Sequence, residues 1–183
     1  LVGAAFMVPL LFQGFWLLVA IGGGGMVSFL INFFLSRRNP KTISGDLLAV
    51  FGLSLGAPSA YYVSAGTLDR TAFSLWLLNY LFFGCSVFYG HMKIRAASEK
   101  KAEWAFVDKL SLGKLNLLYH VAVVAIVAVQ FTVALALLAF VPMFLHAIYG
   151  TYKLSSRVRF KNLGFLLLAQ SIVFGVVLWM VMQ

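Results

Sequence analysis

Apolar residues run along this chain in long blocks, and short polar clusters separate them. A helix needs roughly 20 apolar residues to cross the ~30 Å hydrocarbon core of a bilayer. The blocks predict about seven such helices, over residues 1–13, 15–36, 44–65, 70–92, 112–129, 132–150 and 162–182. Helices are preferred to strands because backbone groups in lipid must be satisfied within their own segment. The alternating segments of about ten residues that mark a membrane β-barrel are missing. Gln13-Gly14 reads as a turn between the first two blocks. Pro58 and Pro142 predict kinks in the third and sixth.

Composition agrees with the pattern. The 183 residues are 62% hydrophobic and 10% charged, with mean hydropathy +0.97. Soluble domains carry about 25% charged residues. The reading is an all-α, polytopic membrane helix bundle, with residues 1–183 forming a single transmembrane domain. The first block has no basic residues before it in the sequence, so it reads as a span and not as a cleaved signal peptide. A start at Leu1 instead of Met suggests that a further piece precedes it.

The 14 Lys and Arg residues fix an orientation. Arg37, Arg38 and Lys41 follow the second span. Lys93, Arg95, Lys100, Lys101, Lys109 and Lys114 surround the loop after the fourth, and Lys153, Arg157, Arg159 and Lys161 follow the sixth. With seven spans these loops share one side, and only Arg70 lies opposite, beside Asp69. The positive-inside rule makes the basic side cytoplasmic and puts the C-terminus outside. The net charge of +9 is then topological, facing lipid headgroups and not nucleic acid. In the longest basic loop, residues 96–110, Trp104, Val107 and Leu110 recur at helical spacing. Two readings fit, an interfacial helix with Trp104 at headgroup depth or a solvated connector.

Few residues offer chemistry. His91, His120 and His146 are the only histidines, and all three fall in the cytoplasmic half of their spans. Helical rise places His120 roughly 12 Å and His146 roughly 7 Å from the cytoplasmic ends. The fifth and sixth spans are joined by a minimal turn and must be antiparallel neighbours. Their two rings can therefore share a cavity, with His91 nearer the rim. Ionisable groups at such depth face a bundle interior or a cavity. They read either as hydrogen-bonded structural groups or as ligands for a quinone, a haem or a chlorophyll-type pigment, although no HxxxH metal spacing occurs. Asp46 follows Ser44 and Thr42 at capping distance and reads as a helix-start residue. Asn79, and Gln170 with Ser171, read as interhelical contacts. Gly22, Gly23, Gly24 and Gly25 permit close approach of another helix, a lipid or a flat cofactor, and they lack the GK[ST] ending of a phosphate loop. Cys85 is the only cysteine and makes no disulfide within the chain.

The segments "SG-D-L", "GLSLGAPSAYY" and "SVFYGHMKIR", with a tryptophan-containing helix between the last two, lie within residues 37–95. Together they resemble the YwiC-like family of bacterial membrane proteins. The likeness continues more weakly through the last three spans. The resemblance implies a multi-pass protein of the bacterial inner membrane. Members begin with an HGAW-type motif; here "VGAAFM" carries Val2 and Ala5 at the His and Trp places. The same block is distantly similar to UbiA-type intramembrane prenyltransferases, which hold Mg²⁺ against a prenyl diphosphate with two aspartate-rich motifs. This chain has neither motif, and only Asp46 stands near the first place. The expectation is a non-catalytic accessory or assembly subunit, with no catalytic or metal residues. It would contact membrane lipids and pack against other subunits of a larger membrane complex, of the respiratory or photosynthetic electron-transfer kind. Lipid, quinone or a chlorophyll-type pigment would lie at its surface. The alternative is a divergent prenyltransferase acting on a quinone or pigment precursor.

Overall fold

A computed structural model describes residues 8–38, 42–99, 101, 103–130 and 134–181. Among them all regular secondary structure is helical. After a short helical piece at 8–12, the elements are α1 (Leu17–Arg38), α2 (Ile43–Ser54), α3 (Gly56–Ala65), α4 (Arg70–Glu99), α5 (Phe106–Gln130), α6 (Ala134–Leu138), α7 (Val141–Tyr152) and α8 (Phe160–Val181). Five helical stretches are long and apolar enough to cross a membrane: α1, α2 with α3, α4, α5 and α8. Large apolar side chains stand exposed on each of them, such as Phe29 on α1, Leu53 on α2, Phe73 on α4, Leu118 on α5 and Trp179 on α8. In water such surfaces would associate; in a bilayer they face solvent of their own polarity.

Pro58 and Pro142 both sit where helices are interrupted. The third span breaks at Leu55, and Pro58 occupies the first turn of α3. The sixth span breaks at Ala139 and Phe140, and Pro142 lies at the start of α7. A proline in the first turn loses no intrahelical bond, whereas further along it clashes with the turn before. The sequence pattern underestimates the fourth and fifth helices. α4 continues past Met92 to Glu99, and α5 begins at Phe106 rather than Leu112. They take up most of the residues expected to form a separate loop. Trp104 is not helical; its indole nitrogen donates to Ser156 Oγ at 3.1 Å, and Ser156 Oγ donates to the Lys101 carbonyl at 3.0 Å. The expected first span, including "VGAAFM", lies largely outside the described residues. Where description begins, the 8–12 helix ends at Gly14, whose φ of 93° only glycine adopts without strain.

The chain divides into two compact units, residues 1–84 and 85–183, with the boundary inside α4. In the first unit α1 packs against α2. A β-carbon added at Gly52 would lie 3.3 Å from the Gly25 carbonyl and 3.4 Å from Ser28 Cβ, so glycine sets the spacing of this seam. Gly24 faces Leu55, while Gly22 and Gly23 meet no neighbouring atom within 4 Å. Thr42 caps α2 by accepting from the Gly45 amide at 3.2 Å, and Asp46 follows in the first turn, exposed. Phe51 meets Trp76 edge-on, and Trp76 stacks on Tyr80 one turn further along α4. Asn79 Nδ2 donates to the Leu75 carbonyl at 2.8 Å, a bond within α4 where the sequence suggested one between helices.

In the second unit α5 packs against α7, and α6 against α8. Tyr89, Met92, Ala96 and Leu154 form a buried core, closed by Trp104, Leu112 and Leu163. Phe140 and Phe174 pack edge to face, their ring centroids 5.4 Å apart, and join the start of α7 to α8.

Candidate functional site

The polar groups of the second unit gather around α7. Thr151 is the hub. Its hydroxyl donates to the Ala147 carbonyl at 2.8 Å, one turn back, and lies 3.4 Å from Met92 Sδ. It also accepts from Asn116 Nδ2 at 3.4 Å, which ties α5 to α7. This approach requires Gly113: a β-carbon there would overlap the Thr151 methyl. Gly150 plays the same part toward α4, because a β-carbon on it would overlap the Tyr89 phenol. Neither glycine stands out in the sequence as the run Gly22–Gly25 does. Their signal is isolation, a lone glycine within an apolar helix, which usually has a packing cause.

The three histidines go to different places. His120 is 2% exposed, and its Nδ1 lies 2.7 Å from the Asn116 carbonyl of its own helix. A carbonyl only accepts, so Nδ1 carries the proton and Nε2 presents a lone pair. That Nε2, like Asn116 Oδ1, is buried without a hydrogen-bond partner. His146 is half-buried, and its Nδ1 lies 3.3 Å from Gln170 Oε1; Gln170 Nε2 in turn donates to the Pro142 carbonyl at 3.3 Å. Gln170 therefore joins α8 to α7 at the broken start of α7. Ser171 turns back on its own helix, to the Leu168 carbonyl. The His146 ring packs on Tyr89, with centroids 4.4 Å apart. His120 and His146 thus take separate partners.

His146 lines a recess of about 230 Å³ that His120 and His91 do not line. The rim position expected for His91 belongs to Lys93. Tyr89 and Lys93 are one turn apart on α4 and both line the recess, whereas position 91 points to another side of the helix. Lys93 Nζ donates to the Gly150 carbonyl at 2.8 Å and lies 5.4 Å from the Tyr89 ring centroid. That carbonyl is one of the last four of α7, which lack intrahelical donors and carry the negative end of the helix dipole. Lys93 is thereby held at a fixed point of the wall. Beyond α7 the chain contributes Lys153, Arg157 and Arg159 to the same recess, and α8 contributes Asn162. Val158, Leu163 and Leu166 supply an apolar wall.

The electrostatics are one-sided. Among the described residues, ion pairs form only from Lys101, to Glu99 and Asp108. Lys93, Lys153, Arg157 and Arg159 have no carboxylate partner there. Asp108 holds the Lys101 ammonium above the usual lysine range. Among the described residues, no three of His, Cys, Asp and Glu come together as a metal site would require. The sequence showed these basic residues only as loop charges. Lys153, Arg157 and Arg159 share one connection by sequence; that Lys93 of α4 meets them is what periodicity does not predict.

Comparison with protein-family models, with curated proteins and with solved structures gives no match. The reading of the site rests on its own geometry.

Proposed function

We propose that this chain is a non-catalytic, multi-pass subunit of the bacterial inner membrane that packs against other subunits of a larger membrane complex. The observation that carries this reading is the character of its recess. Lysine and arginine line it, together with His146, and among the described residues no carboxylate does. Holding the Mg²⁺ of a prenyl diphosphate takes several carboxylates. The chain's five acids instead stand at helix ends and in loops: Asp46, Asp69, Glu99, Glu103 and Asp108. Such a recess suits binding an anion more than metal-dependent prenyl transfer. The exposed apolar side chains of α1, including Met26, Phe29 and Phe34, suit contact with lipid or with another apolar helix. The resemblance to YwiC-like proteins agrees with a small inner-membrane protein.

The test is purification from its native membrane in mild detergent. Other subunits in stoichiometric amount support the accessory role. A lone protein that transfers a prenyl group from its diphosphate with Mg²⁺ overturns it in favour of the enzyme.

A further inference from the structure

Among the described residues, four cations and no carboxylate line the α7–α8 recess. Lys93 forms one wall, fixed by the Gly150 carbonyl and the Tyr89 ring. Lys153 stands at the end of α7, held 5.2 Å from the Tyr149 ring centroid. Arg157 and Arg159 reach in from the connection to α8. Like charges that share a recess repel, and an anion bound between them would relieve that repulsion. Two guanidinium forks and two ammonium points match the several oxygens of a phosphate better than the two of a carboxylate. Val158, Leu163 and Leu166 make the apolar part of the lining. Leu166 is itself exposed, and about two turns further along the same face of α8 Val173 is exposed as well. A charged mouth over an apolar track is the shape of an amphiphile, and basic pockets between membrane helices characteristically take anionic headgroups.

We infer that this recess binds the phosphate headgroup of an anionic phospholipid, with Arg157 and Arg159 gripping the phosphate oxygens and Lys93 setting their depth. Inorganic phosphate would meet the same cations but would leave the apolar wall unused. The inference rests on the proposal that the chain lies in a membrane; it does not require the partner subunits.

Native mass spectrometry of the full chain, delipidated and then given equal phosphatidic acid and phosphatidylcholine, reads the site directly. The expected result is one retained phosphatidic acid, preferred over phosphatidylcholine by roughly tenfold or more. Arg157→Gln with Arg159→Gln should reduce that preference about tenfold. Both residues are exposed and lie in the connection, so folding should persist, as an unchanged melting curve would show. Lys114→Gln, on the same basic side but outside the recess, is the control and should retain the preference. Equal loss in the control and the double variant overturns the site, since general surface charge would then account for the binding. Displacement of the lipid by millimolar inorganic phosphate, with the phosphate alone raising the melting temperature of wild type, overturns the lipid assignment in favour of a free phosphate. Failure to find partner subunits in the copurification test leaves these outcomes unaffected, so the two readings can fail separately.

Discussion

Gly150 of α7 lies directly under the phenol ring of Tyr89 on α4, so closely that a single added methyl would overlap it. The same glycine's carbonyl receives Lys93. One residue without a side chain therefore sets both the helix spacing and the position of a cation in the recess. Gly150→Ala should destabilise the protein by about 1–3 kcal/mol, the usual cost of overpacking a close contact. Trimming the ring with Tyr89→Leu should restore much of that loss in the double variant. Thermal melting in detergent measures it; an alanine variant as stable as wild type would show that α4 and α7 do not approach in this way.

Asp69 supports a pH prediction. Its Oδ2 accepts from the Tyr61 hydroxyl at 2.9 Å, and its Oδ1 accepts from the Thr71 and Ala72 amides at 2.7 and 3.2 Å, which caps α4. The Tyr61 hydrogen bond, aided by the amides, holds the carboxyl below the ordinary aspartate value of 3.8. The folded state thus binds its proton less readily than the unfolded chain. This contribution to stability is complete above the ordinary aspartate range and is lost as pH falls through the lower folded value. Asp69→Asn retains an acceptor for the cap but removes the charge. Its melting temperature should fall less than that of wild type between roughly pH 5 and pH 2. An identical acid slope in the two proteins would refute the assignment.

Length and apolarity made the helices legible in the sequence, because an apolar block of bilayer length has few other uses. Pro58 and Pro142 marked real interruptions for the local reason that proline tolerates only the first helical turn. The ends of α4 and α5 were not legible. "SEKK" is polar enough to read as a loop, yet α4 continues through Glu99 because Ala96 and Met92 bury against Leu154, a contact distant in sequence. The candidate site was visible in part. His120 and His146 were singled out by their rarity in apolar spans. Lys93, Gly113, Gly150 and Thr151 were not, since their roles arise only when α7 is brought against α4 and α5.

The basic clusters support a topology prediction. Reporter fusions after Lys41 and after Lys109 should report cytoplasm, and a fusion at the C-terminus should report the outside. The segment most able to change this is the sixth, where α6 and α7 together are short and Ala136–Tyr152 is the apolar part described. If that segment fails to cross, the C-terminal fusion will report cytoplasm and the count of spans becomes even.

His120 decides between a structural and a pigment-binding reading. Its protonated Nδ1 is engaged by the Asn116 carbonyl, leaving Nε2 with a lone pair. That is the tautomer a metal-ligating histidine adopts. The surroundings argue for structure instead. His120 is 2% exposed and Asn116 1%, and His120 lines neither the basic recess nor the apolar hollow of about 200 Å³ beside Leu117 and Ile148. A macrocycle needs room beside its ligand. Replacing His120 by Leu removes one hydrogen bond but also removes a buried acceptor that has no partner, and these effects oppose one another. The variant should therefore fold with a loss of about 1 kcal/mol or less. The wild-type protein, freed of other subunits, should absorb only in the aromatic band. A visible absorption band in wild type that vanishes in His120→Leu, in a variant that still folds, would establish the pigment reading.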